Sequence, residues 1–196
     1  MARHEYFVFI VGGDRRAGTI ENLDDTFDDY WMLTEGTPLG DKYPPSVQVA
    51  LSKHGGDMLT DFIDNIHSVV IVSEKARALM EQAGLGPEQV EFLPLTLKDK
   101  KRKKVPEAYF IANALQSFDC FDWDRSEYDL YPNKRKVVTT SLSKLHVLED
   151  KIPQTATFFR LGELKADILI RSDLLEKLKA AGCTGINVAA MGVELP

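Results

Sequence analysis

Apolar residues along this chain gather into short runs separated by Gly, Pro and clusters of charge. The first run, Tyr6-Phe7-Val8-Phe9-Ile10-Val11, is aromatic and β-branched and predicts a buried strand closed by a Gly12-Gly13-Asp14 turn. Residues 36–45 read as loop, Ser46 to Leu51 alternates weakly as a strand would, and Met58 to Ile63 predicts a short helix. The continuous run Val69-Val70-Ile71-Val72 predicts a strand covered on both faces. Ser73 follows it and can accept the free N–H groups of a first helical turn. Helix formers then run from Glu74 to Ala83, with Ala76, Leu79, Met80 and Ala83 on one face. Gly84 can take the left-handed conformation that closes a helix, and Val90 to Leu95 is the returning strand.

The same order recurs near the C-terminus. Ile168-Leu169-Ile170 predicts a strand, Ser172 its cap, Asp173 to Ala181 a helix with Leu174, Leu175 and Leu178 inward, Gly182 its end and Ile186-Asn187-Val188 the return. Duplication and convergent packing explain two such units equally well, and two are too few for a solenoid. Tyr109 to Leu115, Phe118 to Trp123, Lys136 to Thr140 and Thr157 to Leu161 are further strand candidates. The expected class is α+β, with mixed sheets and a strand–Ser–helix–strand unit occurring twice. An N-terminal half, 1–105, and a C-terminal half, 106–196, each hold one unit and are expected to make one globular body.

Composition narrows the function. No apolar run approaches the roughly 20 residues of a membrane helix, and the opening residues do not form a secretory signal, so a cytoplasmic protein is expected. Cys120 and Cys183 have no CxxC partner and read as reduced, buried thiols. His4, His54, His67 and His146 stand singly, so neither a metal site nor a cofactor is expected. Of the net charge of −6, residues 1–67 carry twelve acids against five bases, so the acidic excess is N-terminal. That balance disfavours nucleic acid as a partner and admits a basic protein.

The candidate partner surface is the acidic-aromatic segment Asp24-Asp25-Thr26-Phe27-Asp28-Asp29-Tyr30-Trp31. Within it Phe27, Tyr30 and Trp31 would be buried anchors, and Asp24, Asp25, Asp28 and Asp29 would steer a basic partner. The alternative is a helix with the three aromatics in the core and the acids in water. Lys98-Asp99-Lys100-Lys101-Arg102-Lys103-Lys104 reads as a solvated loop between the halves, or, more sharply, as a nuclear-localisation or anion-binding run. Residues 11–18 lack the Lys-Ser/Thr of a phosphate loop. Asp122 to Ser126 fails as a calcium loop, since Glu127 and Asn133 stand where Gly and Glu are needed. No GxSxG or HExxH occurs, so no catalytic residue is assigned and a binding protein is favoured over an enzyme.

Several short segments, in their order and spacing, resemble a bacterial immunity family of polymorphic toxin systems, formerly a domain of unknown function. They are Leu59 to Ile63, Val70 to Glu74, Val90 to Leu95, Tyr109 to Leu115, Asp119 to Asp122, Ser126 to Tyr128, Phe159 to Leu161, Ile170 to Asp173 and Gly185-Ile186, spread over residues 58–190. The resemblance implies a cytosolic antidote that binds a cognate toxin and blocks it, and it brings no catalytic residues. Two other readings stay open. One is an enzyme with a non-local site from Asp119, Asp122 and a distant His. The other is a regulatory module that forms a homodimer through a strand edge.

Overall fold

Strands form on the apolar runs that begin at Tyr6, Val69, Val90, Tyr109 and Ile168, where the pattern predicts them. In the computed structural model, which describes residues 4–23, 31–129 and 142–195, the first strand β1 spans Tyr6–Val11. Its alternate side chains serve two cores: Phe7, Phe9 and Val11 on one face, Tyr6, Val8 and Ile10 on the other. β2 (Thr19–Ile20), helix α1 (Trp31–Thr34), β3 (Gln48–Ala50), β4 (Phe62–Asn65) and β5 (Ile71–Ser73) follow. Then come α2 (Glu74–Gln82), β6 (Val90–Lys98), β7 (Tyr109–Ala114), β8 (Ser117–Phe118), β9 (Phe158–Leu161), β10 (Ile168–Arg171), α3 (Ser172–Ala180) and β11 (Ile186–Ala190). The class is α+β with mixed sheets.

Two sheets result, ordered β2-β4-β5-β7-β6-β3 and β11-β1-β10-β9-β8. β5 and β6 are both antiparallel to β7, which lies between them, and β10 and β11 flank β1 in the same way. Each strand–helix–strand unit is therefore split by a strand from outside it. Sheet membership does not follow the chain's midpoint, since β1 lies with β8 to β11 and β7 with β2 to β6. α2 and α3 pack together, and their apolar faces (Ala76 and Met80; Leu174, Leu175 and Leu178) fill the core between the sheets.

The six-stranded sheet curls until its edges meet. Ile20 of β2 bridges Leu51, just beyond β3, and the Ser52 N–H donates to the Thr19 carbonyl at 2.7 Å. A second core fills the enclosed face, with Ile20, Val49, Ile63, Ile71, Leu95, Leu97 and Ile111 among its members. β5 explains its own apolar run: Val70 and Val72 enter the core shared with the helices, while Val69 and Ile71 enter this one.

Asp61 clamps the two units. Its carboxylate accepts from Ser73 Oγ at 2.7 Å and from the Thr184 N–H at 3.0 Å, and Lys75 Nζ lies 3.5 Å away. Burial raises the Asp61 pKa, but these donors and the lysine outweigh it, and the net shift is downward. Ser73 also caps α2, accepting from the Ala76 N–H at 3.2 Å, and Gly84 closes the helix at φ +96°.

Two expectations are corrected. Met58 to Ile63 is not a helix: Phe62 and Ile63 open β4, with consecutive side chains in opposite cores. Adjacent apolar residues suit a strand buried on both faces as well as they suit a helix. Ser172 is not a cap either. It is the first residue of α3, its N–H bonds the Glu5 carbonyl at 2.8 Å, and Arg171 holds the cap position without a side-chain bond. The Arg171 guanidinium instead forks onto Asp173 at 2.8 and 2.9 Å. Of the other strand candidates, Phe118 to Trp123 shrinks to β8 plus a bridge at Phe121, and Lys136 to Thr140 lies outside the described residues.

Candidate partner-binding surface

Past β8 the chain makes a tight acidic turn, residues 119–129, in which five carboxylates face one arginine. Asp122, 6% exposed, organises it. Its Oδ1 accepts the backbone N–H groups of Asp124 and Arg125 at 3.2 and 3.1 Å, and its own N–H donates to the His146 carbonyl at 3.0 Å. Ser126 Oγ donates to that same carbonyl at 3.2 Å and accepts the His146 N–H at 2.9 Å. The Lys144 ammonium meets Glu127 at 2.7 Å. The turn is thus sewn to residues 144–146.

This frame holds up an aromatic anchor. Trp123 is 41% exposed yet stands against Phe121 and Tyr128, with ring centroids 4.7 and 5.3 Å away. Phe121 is buried, and the Tyr128 hydroxyl donates to the Trp123 carbonyl at 3.3 Å. Asp119, Asp124, Glu127 and Asp129 of the same turn are exposed. A stacked indole offered to solvent on an acidic turn has the chemistry of an interface hot spot for a basic partner.

The earlier candidates fall elsewhere. Asp24, Asp25, Phe27, Asp28, Asp29 and Tyr30 lie outside the described residues. Trp31 opens α1 and is 55% exposed, while Leu33 of the same turn enters the core. Asp119, Asp122 and His146 do share one region, but Asp122 spends its Oδ1 on the turn and His146 joins through its backbone. Burial pushes the Cys120 thiol up to about 12, so it is not poised as a nucleophile.

Two buried polar features escaped the sequence reading. Arg160, 1% exposed, donates to the carbonyls of Ala114 at 2.7 Å, Thr34 at 3.1 Å, Lys165 at 2.6 Å and Leu33 at 2.5 Å. Burial brings its pKa down to about 10, against a smaller opposing effect of Glu35. It needs Gly36 beside it, since a Cβ there, besides suffering φ +67°, would stand 2.7 Å from the Ala114 carbonyl oxygen and 2.8 Å from Arg160 Nε. The second feature is a cavity of about 230 Å³ between β1 and residues 64–70, lined also by Asp64 and Asp167. Burial raises both carboxyl pKa values, that of Asp167 to about 6. Among the described residues Asp167 Oδ2 has no hydrogen-bond partner, and it is closed to solvent, so it is not presented to a substrate.

Among the described residues no group of three His, Cys, Asp or Glu is placed to hold a metal ion. No helix there is long and apolar enough to cross a membrane. In comparisons with known proteins, a family model described as Immunity protein family (Imm11) matches residues 13–193, nearly the whole chain. No curated protein matches.

Proposed function

We propose that the chain, which belongs to the Imm11 immunity protein family, neutralises a cognate bacterial toxin of a polymorphic toxin system. It does so by binding the toxin as a cytoplasmic protein and not by acting on it as an enzyme. The observation that carries this reading is Trp123, exposed on an aromatic base within an acidic turn. Such a surface binds by burying the indole in a partner pocket, while the acids accelerate the approach of a basic partner. A standard interface buries about 1,600 Å² in total, so the Trp123 turn would be its centre and neighbouring segments its rim. The acidic segment containing Asp24, Asp25, Phe27, Asp28, Asp29, Tyr30 and Trp31 is proposed as a second part of the contact.

The test is co-expression with the toxin encoded beside the gene, followed by purification of the pair. Rescue of growth and a one-to-one complex are expected. A toxin that still kills, with no complex on the column, would overturn the proposal.

A further inference from the structure

The seven residues Lys98 to Lys104 carry six cations and one acid on a protein of net charge −6. The run is an ordered hairpin. Lys98 bridges Lys104, the Asp99 N–H donates to the Lys103 carbonyl at 2.8 Å, and Asp99 Oδ1 accepts the N–H groups of Lys101 and Lys103, both at 2.8 Å. The lone acid is consumed in holding the turn. Lys100 is anchored as well, on Asp57 at 3.0 Å and the Gly55 carbonyl at 2.6 Å.

Arg102 stands at φ +63°, the left-handed region where glycine or asparagine sits at little cost and a long side chain does not. Arg102 lines a recess of about 330 Å³ together with Lys98, Asn22 and Gln48. Ala50 lies directly opposite Lys98 in the β3–β6 ladder and lines the same recess. Neither Lys98 nor Arg102 forms an ion pair among the described residues. Two cationic residues and two amide residues thus line one hollow. The backbone accepts strain at the residue that supplies the guanidinium.

We propose that the base of this hairpin is an oxyanion-binding site for a phosphate group, with Lys98 and Arg102 as the charged ligands and Asn22 and Gln48 beside them. Phosphate fits better than a carboxylate because its two charges match two cations, and a guanidinium can bind two of its oxygens at once. The phosphate is either free or part of a nucleic-acid backbone.

Pyrophosphate and a short oligothymidylate are titrated separately into the full chain by calorimetry at constant ionic strength. Saturable one-to-one binding of pyrophosphate is expected. Arg102→Gly relieves the left-handed strain, so it should raise the melting temperature while weakening pyrophosphate at least tenfold. Lys98→Met should weaken it similarly, and Lys103→Ala, outside the recess, should stay within twofold. An oligothymidylate that binds more tightly and loses affinity in Arg102→Gly supports the site with nucleic acid as its source. Equal affinity supports it with free phosphate as the source. No saturable binding of either probe, an unchanged Arg102→Gly, or equal losses in Arg102→Gly and Lys103→Ala would each overturn the proposal.

Discussion

Asp167→Asn should make this protein more stable at neutral pH, and by an amount that depends on pH in a defined way. Asp167 immediately precedes β10 at the wall of the cavity behind β1, its Oδ2 without a hydrogen-bond partner among the described residues. Burial holds its pKa at about 6, against an ordinary value of 3.8. The folded state therefore binds this proton more tightly than the unfolded chain does. Stability falls as pH rises through the interval from about 4 to about 6, and the full penalty persists above it. A shift of about two units at 1.36 kcal/mol each amounts to about 3 kcal/mol as an upper figure. The amide keeps the shape and abolishes the charge, so it removes the penalty while adding an N–H₂ that must find an acceptor. A gain of about 1–3 kcal/mol is expected near pH 8, or a rise in Tm of roughly 3–10 °C for a chain of this size. Near pH 4.5 the gain should shrink to about a third. Urea unfolding of both proteins across that pH range measures it. A variant no more stable than the parent at pH 8, or a difference that does not change with pH, would refute the reasoning.

Arg160→Met removes the buried donor to four carbonyls and should cost about 3–5 kcal/mol, read by urea unfolding. Asp61→Asn leaves Ser73 and Thr184 imperfectly paired and should cost about 1–3 kcal/mol at pH 7. Because the Asp61 pKa is lowered in the fold, the parent's advantage should disappear as the pH falls through the acidic range, so melts at pH 7 and at pH 3 check the sign. Trp123→Ala should weaken toxin binding by at least 2 kcal/mol, about thirtyfold, in calorimetry, with Tm little changed. Reversing Asp24, Asp25, Asp28 and Asp29 to Lys should slow association most at low salt; stopped-flow rates independent of salt would remove that segment from the interface.

Much of the scaffold was legible because its strands are buried on both faces. β1 and β5 appear in the sequence as unbroken apolar runs, and α2 is bracketed by a serine and a glycine whose chemistry is local. The same double burial hid β4, where Phe62 and Ile63 look helical until the two cores that separate them are seen. Ser172 misled for a different reason: it sits one residue inside the helix and its Oγ accepts the Glu5 N–H at 3.4 Å across the sheet, a contact no local pattern reveals. The candidate site was less legible. Residues 119–129 are as acidic and aromatic as 24–31, so a count of carboxylates around Trp123 would have raised it to equal rank. Its exposure comes from Asp122 and His146 bending the chain, which are tertiary facts. Arg160 gave no signal, since a lone arginine in a strand is ordinarily expected to reach solvent.

The placement of β1 also sets a schedule. Tyr6 pairs with Arg171 and Phe7 with Ala190, so the first strand made waits for the last two before it has neighbours. At about 5–20 residues per second of synthesis, that wait is roughly ten to thirty seconds. Throughout it an aromatic β-strand is without its partners on the nascent chain, a segment for chaperones to shield. On the proposed reading, protection that requires the finished five-stranded sheet begins only once both of those strands have been made. Translation timing would then matter as much as affinity.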